Sequence, residues 1–508
     1  MTTGIQAVDV ERFRAAVVYR LGLYLDEGKL GFLAEVLRRR LEATGHDSDG
    51  YLARLESPSA RDEIGALARE LTVPETYFFR NVDQYRAFVE VVLPERAALV
   101  AVERRLRILS LGCASGEETY SLAMLARDTL TDPGLDLSIL GVDVNPAMIE
   151  KAGRGRFSAW ALRETPEADQ QRWFRRQGRE FVLDDALRAS VRFEERNLVE
   201  DDPQFWQNEM YDVVFCRNVL MYFAPEQAQA VVGRIARALR PGGYLFLGHA
   251  ETLRGLSNAF HLRHTHNTFY YQRKERGAPL SPTSRMSEWR RPPIASLAAA
   301  ASDADTWVDA IRRASERVAA LTEPRPAEPS EYQANAEPVG RAWDLGGVVE
   351  LLRQERFAEA LAIVNALPPD SSRDPDVLLL RAVLLVHGGQ LVKAEDACRR
   401  LLESDELSAG AHYLLALCRE GGGDRARASY HDQVAAYLDP GFAMPRLHLG
   451  LLARRAGDRA AARRELGHAL VLLQREDASR VLLFGGGFGR EALTALCRTE
   501  LTRCGGNP

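Results

Sequence analysis

Residues 109–124 read LSLGCASGEETYSLAM, and residues 139–152 read ILGVDVNPAMIEKA. In the first stretch an apolar run, 109–111, feeds a glycine-rich turn from 112 to 116 and then a helical pattern. Glycines let backbone approach a ligand with no Cβ in the way. The turn is not GxGxxG, so it matches a pyrophosphate cradle poorly. In the second stretch Asp143 closes the next strand-like run, where one carboxylate can accept both hydroxyls of a ribose. Either signal alone is as often plain structure as site. In this order, one βα unit apart, they point to a nucleoside without phosphate, with S-adenosylmethionine as the candidate.

Working outward, residues 100–273 alternate two periods. RLRILSLG (105–112), LDLSILGVD (135–143), ASVRFEE (189–195), YDVVFCRN (211–218) and GGYLFLGH (242–249) are short, β-favouring apolar runs. Between them lie helical patterns such as ETYSLAMLARDTL (118–130) and PEQAQAVVGRIARAL (225–239). That order predicts a doubly wound α/β sheet, parallel at its centre, with ligand at the carboxyl ends of its strands. NTFYYQRK (267–274) supplies a last strand. Upstream, residues 1–95 read as an all-helical domain. FLAEVLRRRLEATG (32–45) sets Leu33, Val36, Leu37 and Leu41 on one face and Arg38 and Arg39 off it.

At roughly 150 residues per domain, 508 residues make about three units. Apolar residues are 46% and charged residues 27%, ordinary globular values that exclude a wholly disordered or collagen-like chain. Lys plus Arg is 66 against 71 for Asp plus Glu, a net charge of −5 that offers no general attraction to nucleic acid or anionic lipid. Six scattered cysteines without CxxC spacing argue against a zinc site and a disulfide framework. With no export signal and no membrane-spanning run, the expectation is a cytoplasmic protein with no metal.

Residues 274–340 hold 8 of the 23 prolines and read as a linker, with one helical spacing inside it (Trp307, Val308, Ile311, Ala314, Val318). Beyond it the sequence repeats. Blocks beginning at Trp343, Val377, Ala411 and Pro445 are 34 residues apart, an offset that also superimposes Ala360, Ala394, Ala428 and Ala462. Gly389, Gly423 and Gly457 follow the same interval, with Glu355 in the first block. This resembles tetratricopeptide repeats: a helical solenoid over 341–504, with an amphipathic cap over 479–503, that binds partners along its concave face.

A more specific resemblance emerges from six segments taken in order. LTVPETYFFRN (71–81), SLGCASGEETYSLAM (110–124), ILGVDVNPAMIEKAGRGRF (139–157), RNLVE (196–200), DVVFCRNVLMYF (212–223) and LRPGGYLFLGHAETL (239–253) resemble the successive signatures of the CheR family of chemotaxis receptor methyltransferases. The resemblance covers most of 10–273. It implies a class I methyltransferase fold over 96–273 with a small β-insert near 155–193. It also implies S-adenosylmethionine as cofactor, and methyl transfer to glutamate side chains on the cytoplasmic helices of a chemoreceptor. Carried over by residue, it implies cofactor contacts from Thr76, Arg80, Glu117, Asp143, Asn197, Leu198, Arg217 and Asn218, with Arg80 and Tyr222 nearest the transferred methyl. Pro74 stands where the family usually has Asn, which puts that one contact in doubt. The short turn RRQGREF in the insert implies that docking on a receptor's tail peptide is absent. A response regulator or another signalling protein is then an expected partner of the repeats.

A glutamate nucleophile has a pKa of about 4.3 and is ionised at neutral pH, so no catalytic His or Cys is needed. His249 and Glu251 invite an acid/base role, against which loop capping is the favoured reading. Cys113 and Cys216 read as packing. The run Arg38–Arg39–Arg40 is either a solvated face or a receptor contact. Two other functions remain open: a cofactor-binding scaffold that turns over weakly, and a methyltransferase for nucleic acid or a small molecule.

Overall fold

The run ending at Leu111 forms strand β1 (Arg105–Leu111) at the centre of a seven-stranded sheet. Its other strands are β2 (Asp136–Asp143), β6 (Val191–Glu195), β7 (Tyr211–Cys216), β8 (Leu239–Leu247), β9 (Phe260–Thr265) and β10 (Thr268–Arg273), in the order β6-β2-β1-β7-β8-β10-β9. The pairs from β6 to β8 are parallel, and β10 and β9 add an antiparallel hairpin. The computed structural model describes residues 5–57, 60–100, 103–275, 346–354, 356–366, 374–486 and 488–505. They fall into two compact units, Met1–Ala278 and Pro279–Pro508. Nearly all of the 274–340 linker, with the helical spacing around Trp307, lies outside the described residues, as does Glu355.

Strand order reverses between β1 and β7, and the two chain ends that diverge there open a crevice at the carboxyl edge of the sheet. Helix α7 (Glu117–Thr129) follows β1, and α8 (Pro146–Arg154) follows β2. The core between sheet and helices is aromatic. Phe215 and Phe246 stack at 4.4 Å, and Phe88 meets Phe215 edge-on at 5.5 Å. The expected insert is a separate three-stranded antiparallel sheet of β3 (Arg156–Ser158), β5 (Glu180–Leu183) and β4 (Phe174–Gln177). Gln177 pairs with Glu180, so a two-residue turn joins β4 to β5, and Gly178 takes its positive φ of 65°.

Upstream, α1 (Ala7–Leu21), α2 (Leu30–Thr44), α3 (Ser48–Glu56) and α4 (Arg61–Leu71) enclose their own core, in which Leu33, Val36 and Leu37 are buried as their spacing requires. A backbone bridge joins this bundle to the loop after β7. Leu23 pairs with Phe223, where the Tyr24 N–H donates to the Tyr222 carbonyl at 2.7 Å and the Ala224 N–H to the Gly22 carbonyl at 2.9 Å. The Asn145 amide, just past β2, donates to Thr72 Oγ1 at 3.0 Å at the end of α4.

In the second unit, helix pairs Pro375–His387/Leu391–Ser404, Ala409–Gly421/Arg425–Leu438 and Ala443–Arg455/Arg459–Leu473 start 34 residues apart, preceded by Gly346–Arg353/Phe357–Asn365. Ala360, Ala394, Ala428 and Ala462 are fully buried, which lets each pair close. Gly389, Gly423 and Gly457 turn between helices at φ of 71°, 82° and 83°. No helix of the described residues is long and apolar enough to cross a membrane.

This unit holds three neutral histidines, His387, His412 and His431, whereas at buried His448 the carboxylates of Asp432 and Glu420 outweigh desolvation and push the pKa up to about 9. The His412 Nε2–H donates to the Glu406 carbonyl at 3.2 Å, which leaves its Nδ1 to accept from His431 Nδ1 at 3.0 Å. Burial holds His387 and His412 at about 4 and His431 at about 3. The unfolded chain therefore binds more protons below pH 6.5, and stability falls as pH drops toward 4, by about 1.4 kcal/mol per pH unit for each histidine. Asp432, raised to about 6 by burial, runs the other way below that pH and offsets one of the three. Acidification from pH 6.5 to 5 is expected to lower the unfolding midpoint of residues 374–505, followed by site-resolved hydrogen exchange. A midpoint that is flat or rises would contradict neutral burial.

Candidate functional site

The crevice holds an open cavity walled by the turn 112–114, the ends of β2 and β7, the stretch 71–80 and the segment 21–29. Of the nine expected site residues, eight line it: Thr76, Arg80, Asp143, Asn197, Leu198, Arg217, Asn218 and Tyr222. The ninth, Glu117, does not. Its buried carboxylate takes the Ser115 hydroxyl at 2.8 and 3.0 Å beneath the turn, and its pKa is raised by burial. The wall residue is its neighbour Glu118. Both acids open α7, and only the roll of the first turn decides which faces the ligand.

The glycine turn is shaped by two constraints. Gly112 has φ 69°, and a Cβ there would stand 2.4 Å from Val219 Cγ2. Gly116 has φ 92°, and its Cβ would meet Ala152 and Phe193 at 2.9 and 3.0 Å. Between them Ala114 is held left-handed at φ 44°. Its N–H donates to Asp143 Oδ2 at 2.9 Å, while Asp143 Oδ1 accepts from the Asn145 N–H at 2.8 Å. Burial raises the Asp143 pKa and these N–H donors pull it back. The carboxylate is thus fixed in place with lone pairs left for hydroxyl donors.

At the other end of the cavity, Arg217 is buried. Its guanidinium donates to Glu118 Oε2 at 3.0 Å, to the Arg80 carbonyl at 2.5 Å and to the Tyr85 hydroxyl at 3.4 Å. Glu118 Oε1 accepts from Ser110 Oγ at 2.9 Å. Burial raises the Glu118 pKa, and the Arg217 charge lowers it.

The loop after β7 is held by Glu251. Its buried carboxylate accepts backbone N–H groups from Asn218 (2.6 Å), Gly248 (2.7 Å), Val219 (2.8 Å) and Met221 (3.2 Å). Loop capping is therefore its role, and His249 is exposed and off the cavity. Asn218 sits left-handed at φ 58°. The Asn197 amide donates to the Arg20 carbonyl at 2.7 Å, which ties the adenine-side loop to the helical bundle.

Arg80 donates to the Glu75 carbonyl at 3.1 Å and makes no ion pair among the described residues. Tyr222 is 37% exposed and is not a core aromatic. Pro74 lies on the same wall as Thr76. The segment Leu21 to Lys29 forms a wall that sequence reading missed. It does so by pairing with residues 200 positions away, and only the alternation in LGLYL hints at an extended stretch.

The run of three arginines is committed within the bundle. Arg38 pairs with Glu35 and Glu42, Arg39 with Glu35 and Glu70, and Arg40 with buried Glu63 at 2.7 Å. Cys113 and Cys216 are buried thiols pushed well above their usual pKa by desolvation. No group of three or more His, Cys, Asp or Glu among the described residues could hold a metal ion.

The lining suits a nucleoside-type ligand: a fixed carboxylate in Asp143, apolar Val144, Met148 and Leu198, and a second carboxylate in Glu118. Comparison with known proteins agrees. Residues 74–269 match the CheR methyltransferase, SAM binding domain. Chemotaxis protein methyltransferase 2 of Vibrio cholerae is 33% identical over 277 residues, 54% of this chain and 95% of that protein. The probable biofilm formation methyltransferase WspC of Pseudomonas putida is 30% identical over 457 residues, 89% of this chain and 96% of that one. The WspC of Pseudomonas aeruginosa is 29% identical over equal shares. This chain belongs to the CheR methyltransferase family. S-adenosylmethionine is its cofactor.

Two variants separate contact from scaffolding. Asp143→Ala removes an acceptor that faces the ligand and is expected to weaken S-adenosylmethionine binding at least tenfold by calorimetry. An unchanged dissociation constant would take Asp143 out of the ribose site. Glu251→Ala touches no ligand but leaves four N–H groups without their acceptor. It is expected to weaken cofactor binding and to lower the melting temperature together, and loss of one without the other would show that the loop is held by something else.

Proposed function

We propose that this enzyme methylates glutamate side chains on the cytoplasmic helices of a chemoreceptor, tuning signalling and adaptation, with the repeats as a protein-interaction module. The observation that carries the reading is Arg80, a cation on the cavity wall with no carboxylate partner among the described residues, beside exposed Tyr222. A second guanidinium, Arg163, stacks 3.6 Å over the Tyr77 ring and 4.2 Å over exposed Trp160, again with no ion pair among the described residues. Cations left unpaired at a rim favour an acidic substrate over a neutral small molecule. The net charge of −5 disfavours nucleic acid.

When bound, S-adenosylmethionine supplies an electrophilic methyl on a sulfonium. The substrate carboxylate, with a pKa of about 4.3, arrives ionised, so the protein removes no proton. Its residues position and desolvate. Arg80 orients the carboxylate by a charge-assisted hydrogen bond, loosely enough to leave one oxygen nucleophilic. Tyr222 closes the side of the path. Glu118, pinned between Ser110 and Arg217, would hold the amino-acid end of the cofactor. The two-residue turn of the insert supports recognition without a receptor tail peptide.

Pro74 alone favours a weakly active scaffold, and Thr76 and Arg80 remain on the same wall. The deciding assay is transfer of tritiated methyl to purified receptor cytoplasmic fragments. Arg80→Ala is expected to lower kcat at least a hundredfold while cofactor affinity changes less than fivefold. Undiminished methylation by that variant would refute the assigned role, and no transfer by the wild type to any receptor fragment would favour the scaffold.

A further inference from the structure

The expected cap over 479–503 divides in two. Arg490–Arg503 packs on Arg459–Leu473, the end of the stack, and Glu500 takes Arg454 at 2.6 Å. The short helix Ala478–Phe484 goes elsewhere. It touches both Gly346–Arg353 and Ala443–Arg455, the first helices of the first and last pairs. A helix of seven residues spans about 10 Å, so it reaches both only by lying inside the curve of the solenoid.

There it meets a shaped surface. The Phe484 ring lies 4.9 Å from Phe442 and 6.0 Å from Tyr413, over Gly410, where a Cβ would stand 2.8 Å from Phe484 Cζ. The last carbonyls of a helix have no partner within it. Here the Tyr413 hydroxyl donates to the Phe484 carbonyl at 3.4 Å and the His387 Nε2–H to the Leu483 carbonyl at 3.2 Å. Val481, Leu482 and Phe484 are buried in the contact. The inner face thus offers a ring slot and two donors for the final turn of a helix. The chain around the occupant is independently anchored. Glu476 accepts from the Ala443 N–H at 2.9 Å on one side, and the glycine-rich stretch 485–489 leads to Arg490–Arg503, which the short helix also touches, on the other.

We propose that the inner face of the repeats is a docking groove for a short apolar helix ending in an aromatic residue, presented by a partner protein, and that Ala478–Phe484 is the tethered occupant the partner displaces. A tether gives the occupant a millimolar effective concentration, so the groove stays closed to weak ligands and opens only to a better-fitting or locally concentrated one. The inference stands apart from the glutamate reading, since it concerns the second unit alone.

The test uses the full chain and a fluorescent peptide of its own residues 480–486, RVLLFGG. Phe484→Ala empties the ring slot and is expected to bind this peptide at least tenfold more tightly than the wild type by anisotropy. Adding Gly410→Leu, which fills the slot from the wall, is expected to abolish the gain. Equal binding by wild type and Phe484→Ala, binding by neither, or a gain that survives Gly410→Leu would overturn the proposal. Hydrogen exchange on the unmodified chain gives an independent reading. Amides 481–484 are expected to exchange at least tenfold faster than those of Ala409–Gly421, through local opening. Exchange of both at one rate would make the segment a permanent part of the core and sink the idea.

Discussion

The buried guanidinium of Arg217 sets the geometry of the catalytic unit. It reaches the first turn of α7 through Glu118, the stretch 71–80 through the Arg80 carbonyl, and Tyr85 at the start of the next helix. A buried ion pair gains little stability, because the desolvation of both partners offsets their attraction. Its value here is positional. Glu118 and the Arg80 backbone are fixed relative to one cation, and the loop that carries that cation is fixed by Glu251. The chain thus converts a crevice required by sheet topology into a rigid frame.

Much of this was legible where the chemistry is local. A glycine turn and a strand-end acid must lie in sequence near the strands that present them, so 112–116 and Asp143 could be read directly. The 34-residue repeat was legible for the same reason, because each pair of helices buries its own small residues against its neighbour. What was not legible depends on packing between distant segments. Glu117 and Glu118 differ by about 100° around a helix, and only the fit of α7 under β1 decides which carboxylate reaches the cavity. Asn197 stands where an adenine contact is expected, yet its amide holds the bundle through Arg20. The three arginines of α2 read as a basic face until Glu63 and Glu70, on α4, come alongside.

The second unit shows the same limit at larger scale. Periodicity predicts the stack but says nothing about a single copy of non-repeating sequence. In Ala478–Phe484 the apolar run resembles another cap residue set, and its place inside the curve follows from Gly410 and from donors on two different helices. A missing side chain at one repeat position is therefore the informative departure. The equivalent first-helix positions of the neighbouring pairs carry Asp376 and Met444, so among the described residues the ring slot exists at one level of the solenoid.

The left-handed residues connect these threads to rate. Ala114 and Asn218 both line the cavity, with φ of 44° and 58°, and Phe79 sits one residue from Arg80 with φ 56°. Each such non-glycine conformation costs about 1–3 kcal/mol, which the surrounding contacts must outweigh. In the proposed transfer to a carboxylate, with no proton to move, that cost has a reason. The barrier depends on holding a carboxylate oxygen in line with a methyl at about 3–3.5 Å, and a displacement of about 1 Å can lower the rate a hundredfold. Backbone held off its preferred wells by Glu251, by Asp143 and by the Ser121 hydroxyl, which takes the Phe79 N–H at 3.1 Å, has few nearby alternatives. Strain of this kind is the structural counterpart of the proposed mechanism, whose only tools are position and the exclusion of water.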